Sequence, residues 1–281
     1  MIKKFDFSVL VPVYHKDDPI FFEQALTSIY CDQTVKPSEI LILVDGPVGK
    51  KIEGVINDWK TRYPEIVNIV QLRENIGLGG ALSIGLESCS YELVARMDSD
   101  DIARYDRFEK QLARFESDPN LIICGSNVSE FILNHQEVTG ERKVPMGIKG
   151  IAKFAIYRNP INHPTVMFKR LNIIDAGGYR PMPCFEDYYL WVRCIMVGFS
   201  IHNIQENLVF MRGGESQLAR RSGLDYVLYE WKFLRELKAC GFLSFSKFVV
   251  VLFSRTVARV APAFIFKKIY SRLRSDTVIP R

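Results

Sequence analysis

Short, continuously apolar runs alternate with amphipathic stretches through the first half of the chain. Residues 8–13, 39–44, 67–72, 93–97 and 121–124 are strand-length runs rich in β-branched residues, each closed by a turn or a polar residue. Between them the apolar positions recur at helical spacing. Phe22, Ala25, Leu26 and Ile29 follow Asp18-Pro19, an N-cap with proline at the first helical position. Ile52, Val55, Ile56 and Trp59 mark a second helix, and residues 77–89 a third with a glycine-rich start. Ile102, Tyr105, Phe108, Leu112 and Phe115 mark a fourth. Strands without polar alternation are buried on both faces, so the pattern predicts an α/β fold: a mostly parallel, Rossmann-like sheet with helices on both sides.

After Gly125 the alternation weakens. Residues 128–133 and 138–144 have the makings of a hairpin, and Leu224, Val227, Leu228, Trp231 and Leu234 share one face of a later helix.

In an open α/β sheet, ligands bind beyond the carboxyl ends of the strands. The polar residues of the first half collect there: Tyr14 after the first strand, Asp45 after the second, Asn75 after the third, and Asp98 and Asp100 after the fourth. Asp98 and Asp100 leave a strand end two positions apart, so one turn can aim both at one point. Paired carboxylates suit a hard divalent cation, Mn²⁺ or Mg²⁺, which keeps waters and substrate phosphates in its shell. Asp101 reads equally as a cap for the following helix.

Composition narrows the class. The chain has 281 residues, 48% of them hydrophobic, enough for one large domain with an appendage. The formal charge of +5 belongs to the tail: from Lys247 onward there are eight basic residues and one acid, so the preceding part is net negative. That argues against a nucleic-acid-binding surface. The six cysteines form no C-x-x-C pair and read as reduced thiols of a cytoplasmic protein. No signal peptide is expected, and no run of apolar residues is long enough to span a bilayer.

Five segments together resemble the family 2 glycosyltransferases with the GT-A fold. They are Ser8-Val9-Leu10-Val11-Pro12-Val13-Tyr14, Leu43-Val44-Asp45-Gly46, the run from Arg73 to Leu82 with Asn75 and Gly77, Met97 to Asp101, and Phe185-Glu186-Asp187 with Trp191. The likeness covers residues 5–215 and is carried by the order and spacing of the segments. It implies an inverting, metal-dependent transfer of a sugar from a nucleotide-diphosphate sugar, by family frequency a UDP-sugar. It places Pro12, Val13 and Tyr14 near the base, with Asp45 hydrogen-bonded to it. Arg73, Asn75 and Gly77 would line the nucleotide site, Asp98 would serve ribose and metal, Asp100 the metal, and Asp187 would be the general base. Residues 1–124 then form the nucleotide-sugar half of a domain ending at 215, and 125–215 the acceptor half. In one place the chain departs from the family: the second segment, usually Asp-Asp-Gly-Ser, is Val44-Asp45-Gly46-Pro47 here. The Gln-x-x-Arg-Trp segment of processive members is also missing, which points to single additions.

An inverting transfer needs a base opposite the leaving group. Asp187 also reads as an acid stabilising a helix N-terminus. Glu186, Trp191, His163 and Arg212 are candidate contacts to the acceptor or diphosphate; a structural role for His163 and an ordinary solvated loop at Arg212-Gly213-Gly214 and Arg220-Arg221-Ser222-Gly223 stand beside that reading.

In the tail, Phe245, Val249, Leu252, Phe253, Thr256, Val257 and Val260 share a helical face, with Lys247, Arg255 and Arg259 beside it and Pro262, Phe264-Ile265-Phe266 and Lys267-Lys268 beyond. Residues 216–281 therefore read as a helical extension lying on an anionic membrane surface, or packed on the domain. The expected acceptor is a glycan carried on a polyprenyl diphosphate, used for bacterial surface polysaccharide at the inner face of the plasma membrane. The rival readings are a sugar-phosphate nucleotidyltransferase, which would want a basic glycine-rich loop between Pro12 and Asp18, and a non-catalytic nucleotide-sugar-binding protein.

Overall fold

The computed structural model describes residues 5–213 and 224–260. The candidate cations at Arg220 and Arg221, and the tail beyond Val260, lie outside the described residues. The elements run β1 (Phe7–Val13), α1 (Pro19–Tyr30), β2 (Glu39–Val44), α2 (Lys50–Arg62), β3 (Val67–Gln71), α3 (Leu78–Ser88), β4 (Leu93–Arg96), β5 (Ile102–Ala103), α4 (Arg107–Ser117), β6 (Leu121–Phe131) and β7 (Gly140–Arg142). They continue with α5 (Ile148–Phe154), β8 (Met167–Lys169), α6 (Arg170–Asp175), α7 (Glu186–Val197), β9 (Ser200–Arg212), α8 (Leu224–Ala239) and α9 (Phe245–Val260).

The apolar strands form one sheet in the order β3-β2-β1-β4-β8-β6-β9-β5, with β7 paired to β6. β3, β2, β1 and β4 are parallel. Alternate side chains of β1 and β2 go to opposite cores. Val9, Val11, Val13, Ile40, Ile42 and Val44 pack with residues of α1, α2 and α4, while Leu10, Leu41 and Leu43 pack with residues of α3 and α7. Gly85 lets α3 lie close on the sheet, because a Cβ there would stand 2.7 Å from Leu10 Cδ1. The Asp18 cap is as read: its carboxylate accepts the N–H groups of Ile20 and Phe21, and Pro19 opens α1.

β1 lies between β2, reached through α1, and β4, reached from the far edge through α3. The chain thus reverses its direction of growth between β1 and β4, and the crevice beyond their carboxyl ends is the switch point. The pairing of β4 with β1 stops at Leu10↔Arg96, while β1 pairs with β2 as far as Val13. Pro12 therefore has no β4 neighbour on the side where its missing N–H would point, and proline is tolerated in a central strand.

Four expectations need correction. Residues 102–115 are not one helix: Ile102 and Ala103 pair antiparallel with Phe210 and Val209, and α4 starts only at Arg107. The fifth strand does not stop at Cys124 but runs to Phe131, paired along its length with the 13-residue β9. On α8 the inward face is Tyr226, Glu230, Phe233, Leu234 and Leu237, whereas Leu228 and Trp231 are exposed. On α9, Leu252 turns inward with Phe248 and Val251 against α7 and α8, and Arg255 is half-buried and paired, not a free surface cation. Its guanidinium donates to Glu230 Oε1 (2.8 Å), the Tyr157 carbonyl (2.6 Å) and the Tyr188 hydroxyl (3.3 Å). The expected hairpin does form, with Val128–Glu130 facing Gly140–Arg142.

Candidate active site

The acids after β4 stand over two buried arginines. Arg96, at the end of β4, is 2% exposed and grips Asp98 with both ends of its guanidinium, one contact at 2.5 Å. Beneath it the fully buried Arg107 donates to the Arg96 carbonyl (2.8 Å) and to Gln111 Oε1 (3.1 Å). Burial and the neighbouring Arg96 push the Arg107 pKa down to about 9. A cation inside an apolar strand such as β4 is itself a sequence signal, since it demands an anion nearby.

Asp17, overlooked in the sequence, joins the cluster from the β1–α1 loop. Its Oδ2 accepts the Tyr14 N–H (3.0 Å) and the Ser99 hydroxyl (2.8 Å), tying the end of β1 to the aspartate turn. Burial, reinforced by Asp98, pushes its pKa up to about 6. Asp100 is likewise pushed up to about 6, first by burial and then by the charges of Asp98 and Asp17. Asp101 does not cap a helix. Its Oδ1 accepts the Arg212 N–H (2.8 Å), its Oδ2 is buried without a partner among the described residues, and burial drives its pKa well up.

Arg212 sits behind this turn. Its guanidinium lies 3.7 Å from the Phe21 ring centroid and 4.6 Å from that of Phe131. It donates to the Asp100 carbonyl (3.0 Å) and to Gln24 Oε1 (3.0 Å). The arginine thus clamps the backbone of the aspartate turn to α1 and to the end of β6.

The loops after β2 and β3 are built around Asp45. Its Oδ1 accepts the Ile76 N–H (2.9 Å), and its carbonyl accepts the Asn75 side-chain amide (3.2 Å). Gly46 has φ +82°, and a Cβ there would stand 2.6 Å from the Asn75 nitrogen. The loops after β2 and β3 are therefore in backbone contact. Arg73 is exposed, Tyr14 half-buried, Pro12 and Val13 buried, and Gly77 (φ +80°) opens α3.

Across the crevice, Asp187 stands in the first turn of α7. Its Oδ2 accepts the Asn159 amide (2.6 Å) and its Oδ1 the Tyr188 N–H (2.7 Å). Burial outweighs these bonds and raises its pKa. Glu186 is pushed up to about 7, first by burial and then by Asp187. Its side chain packs on Gly79 of α3, where a Cβ would stand 2.7 Å from Glu186 Cγ, so the starts of α3 and α7 touch.

His163 and Tyr179 lie between the two groups of acids. His163 Nε2 meets the Tyr179 hydroxyl at 2.8 Å, and the charges of Arg96, Asp187 and Asp98 all act on that hydroxyl. Burial and Arg96 hold the histidine pKa well down, which favours the neutral ring. Trp191 is the clear correction in the site set: it is 0% exposed in the core beneath His163, ring centroids 6.0 Å apart, and contacts no ligand surface.

The donor set fits a divalent cation. Among the described residues there is no cage of three or more acids, histidines or cysteines. Mn²⁺ or Mg²⁺ bound through a substrate diphosphate needs only one or two carboxylates. Asp100, pushed up by burial and by its acidic neighbours, is the side chain such a charge would relieve.

The comparisons agree with this geometry. Residues 8–175 match the model of glycosyl transferase family 2. A UDP-Gal:alpha-D-GlcNAc-diphosphoundecaprenol beta-1,3-galactosyltransferase of Escherichia coli is 38% identical over 270 residues, 95% of this chain and 97% of that one. The amylovoran biosynthesis glycosyltransferase AmsE of Erwinia amylovora is 35% identical over 271 residues, 95% of this chain and 99% of its own length. Among solved structures, S. aureus TarS in complex with UDP-GlcNAc superposes with a TM-score of 0.65 at 17% identity, over 90% of this chain and 73% of TarS. The mannosyltransferase PcManGT of Pyrobaculum calidifontis, in complex with GDP-Man and Mn²⁺, gives 0.63 at 15% identity, over 98% of this chain and 76% of its own. Those two likenesses bear on the fold, which is GT-A. The sheet with its switch-point acids and the family match over more than half the chain lead to one conclusion: this chain is an enzyme of glycosyl transferase family 2.

Proposed function

We propose that the enzyme transfers one hexose, with inversion, from a UDP-sugar to a saccharide carried on a polyprenyl diphosphate, and that the reaction requires Mn²⁺ or Mg²⁺. The observation that carries this reading is that Arg96, which grips Asp98, also acts on Asp187, and that the Tyr179 hydroxyl feels the charges of both acids, so the two stand about one crevice. The relative from Escherichia coli supports UDP-galactose as donor and a lipid-linked N-acetylglucosamine as acceptor. On this reading residues 1–215 are the catalytic domain and 216–281 an extension that works at the inner membrane surface.

The chain's own residues divide the work as follows. The loops after β1, β2 and β3, with Pro12, Val13, Tyr14, Asp45, Arg73, Asn75 and Gly77, hold the nucleotide. Asp98 and Asp100 hold the metal, which when bound neutralises charge gathering on the departing diphosphate. Asp187, raised in pKa and fixed by Asn159, takes the proton from the acceptor hydroxyl as that oxygen attacks the anomeric carbon. The bond from that carbon to UDP breaks on the opposite side, giving inversion. Arg96 holds Asp98 in place and offsets the crowding of acids.

The test is transfer from UDP-galactose, UDP-glucose, UDP-N-acetylglucosamine and GDP-mannose to a synthetic N-acetylglucosamine diphospho-lipid, with Mn²⁺ or with chelator. Turnover with a UDP-sugar that chelator abolishes is expected. Asp187→Asn should lower transfer by about 10²–10⁴-fold while leaving UDP binding intact. Turnover indifferent to chelator would overturn the metal requirement, and a wild-type rate in Asp187→Asn the base.

A further inference from the structure

α9 carries two faces of opposite fate. Phe248, Val251, Leu252 and Arg255 turn onto α7 and α8, and the bonds of Arg255 to Glu230, Tyr157 and Tyr188 fix the rotation of the helix. The other side presents Phe245, Val249, Phe253 and Val257 at four-residue spacing, with Val250 beside them. Their exposures are 67%, 46%, 71%, 54% and 59%. Two bare phenylalanines on a continuous apolar stripe are unusual for a surface facing only water.

Charge tells what covers it. From Phe245 to Val260 there is no acid. At the edge of the stripe, the Lys238 ammonium lies 4.8 Å from the Phe245 ring centroid, and Lys247 is exposed. Beyond Val260 the sequence adds Lys267, Lys268, Arg272, Arg274 and Arg281 against the single Asp276. An apolar stripe edged by cations matches the boundary between acyl chains and anionic headgroups. A soluble protein partner would require no such one-sided charge.

The same helix is wired to the catalytic base. Arg255 bonds the carbonyl of Tyr157, two residues before the Asn159 that holds Asp187, and the hydroxyl of Tyr188, the residue after Asp187. We propose that the exposed face of α9 docks on an anionic lipid bilayer, so that the membrane-bound helix presents Asp187 to a saccharide standing on its lipid. The inference rests on the lipid-linked acceptor proposed above and adds the docking face.

The test uses the full chain and no donor. Sedimentation with vesicles of phosphatidylcholine alone, or mixed with phosphatidylglycerol, reads binding directly. Wild type is expected to bind the mixed vesicles and to release in high salt. Phe245→Ser/Phe253→Ser should bind them roughly tenfold or more weakly. A second variant, Phe253→Trp, should show a blue-shifted emission on addition of mixed vesicles. Absence of wild-type binding, equal binding by the double-serine variant, or an unshifted tryptophan would each overturn the proposal. So would a change from dimer to monomer in the double-serine variant, which would make the stripe an interface between copies. Transfer to a short-chain, water-soluble acceptor should be unchanged in both variants. Loss of that transfer in wild type would count against the catalytic reading, while the vesicle assay still reads the docking face.

Discussion

Replacing Arg212 with methionine should loosen the aspartate turn and the fold together, by amounts that can be worked out. The substitution keeps the length and part of the stacking on Phe21 and Phe131 but removes the charge and the donors. Among the described residues, the two good side-chain bonds lost are those to the Asp100 carbonyl and to Gln24, each 3.0 Å. Two longer ones, at 3.5 and 3.4 Å to the carbonyls of Ile132 and Leu133, contribute little. Hydrogen bonds from a charged donor contribute about 1.5–3 kcal/mol each, and the cation–π contacts about 1 kcal/mol more. Allowing for non-additivity and the retained stacking, the loss should be about 3 kcal/mol. In a chain of this size that lowers Tm by about 6–12 °C. Because the guanidinium holds the backbone of Asp100, Mn²⁺ affinity should fall about 10–100-fold, as for other residues that support ligands from behind. Differential scanning fluorimetry and Mn²⁺ titration by calorimetry in the presence of UDP measure the two effects. A lower Tm with unchanged Mn²⁺ affinity would refute the coupling of Arg212 to the metal turn. Weaker binding of UDP in the absence of metal, with Mn²⁺ affinity unchanged, would instead place the arginine on the diphosphate.

Two further outcomes are expected. Asp17 and Asp100 have folded-state pKa values raised to about 6, so their contribution to stability is full below about pH 4 and lost as pH rises through about 6; Mn²⁺ should reverse that loss, and the Tm gained on adding Mn²⁺ should grow between pH 5 and pH 7.5. A gain independent of pH, read by the same fluorimetry, would separate these carboxyls from the ion. Gly79→Ala should push Glu186 and crowd the Arg180 carbonyl, which a Cβ would approach to 3.3 Å, costing about 1–3 kcal/mol and raising the acceptor KM more than the UDP-sugar KM; steady-state kinetics with each substrate varied in turn decides this.

Much of the first half of the chain is written locally. Residues 8–13 and 39–44 are apolar at every second position on both faces, which only a doubly covered parallel strand accommodates. Asp18-Pro19 starts α1 by its own chemistry. The ends of those strands also place Tyr14, Asp45, Asn75, Asp98 and Asp100 on one rim before any contact is known. The local signal fails where the partner is distant. Ile102-Ala103 has too few residues to show a period, and it is a strand only because β9 pairs with it. Trp191 sits at helical spacing from Asp187, and nothing in that spacing says which side of α7 faces the core.

The charges show the division most clearly. The sequence determined that acids cluster after β4 and that the tail is basic. Tertiary structure decided that Arg96 neutralises Asp98, that Asp17 enters the cluster from another loop, and that Arg212 clamps the turn from behind. It also turned Arg255 away from the surface and onto Glu230, leaving Phe245 and Phe253 outside. The physical reason is common to all of these. A side chain's polarity and its period along the chain are local properties, whereas the energy of a charge depends on which charges and how much water the fold brings within a few ångströms of it.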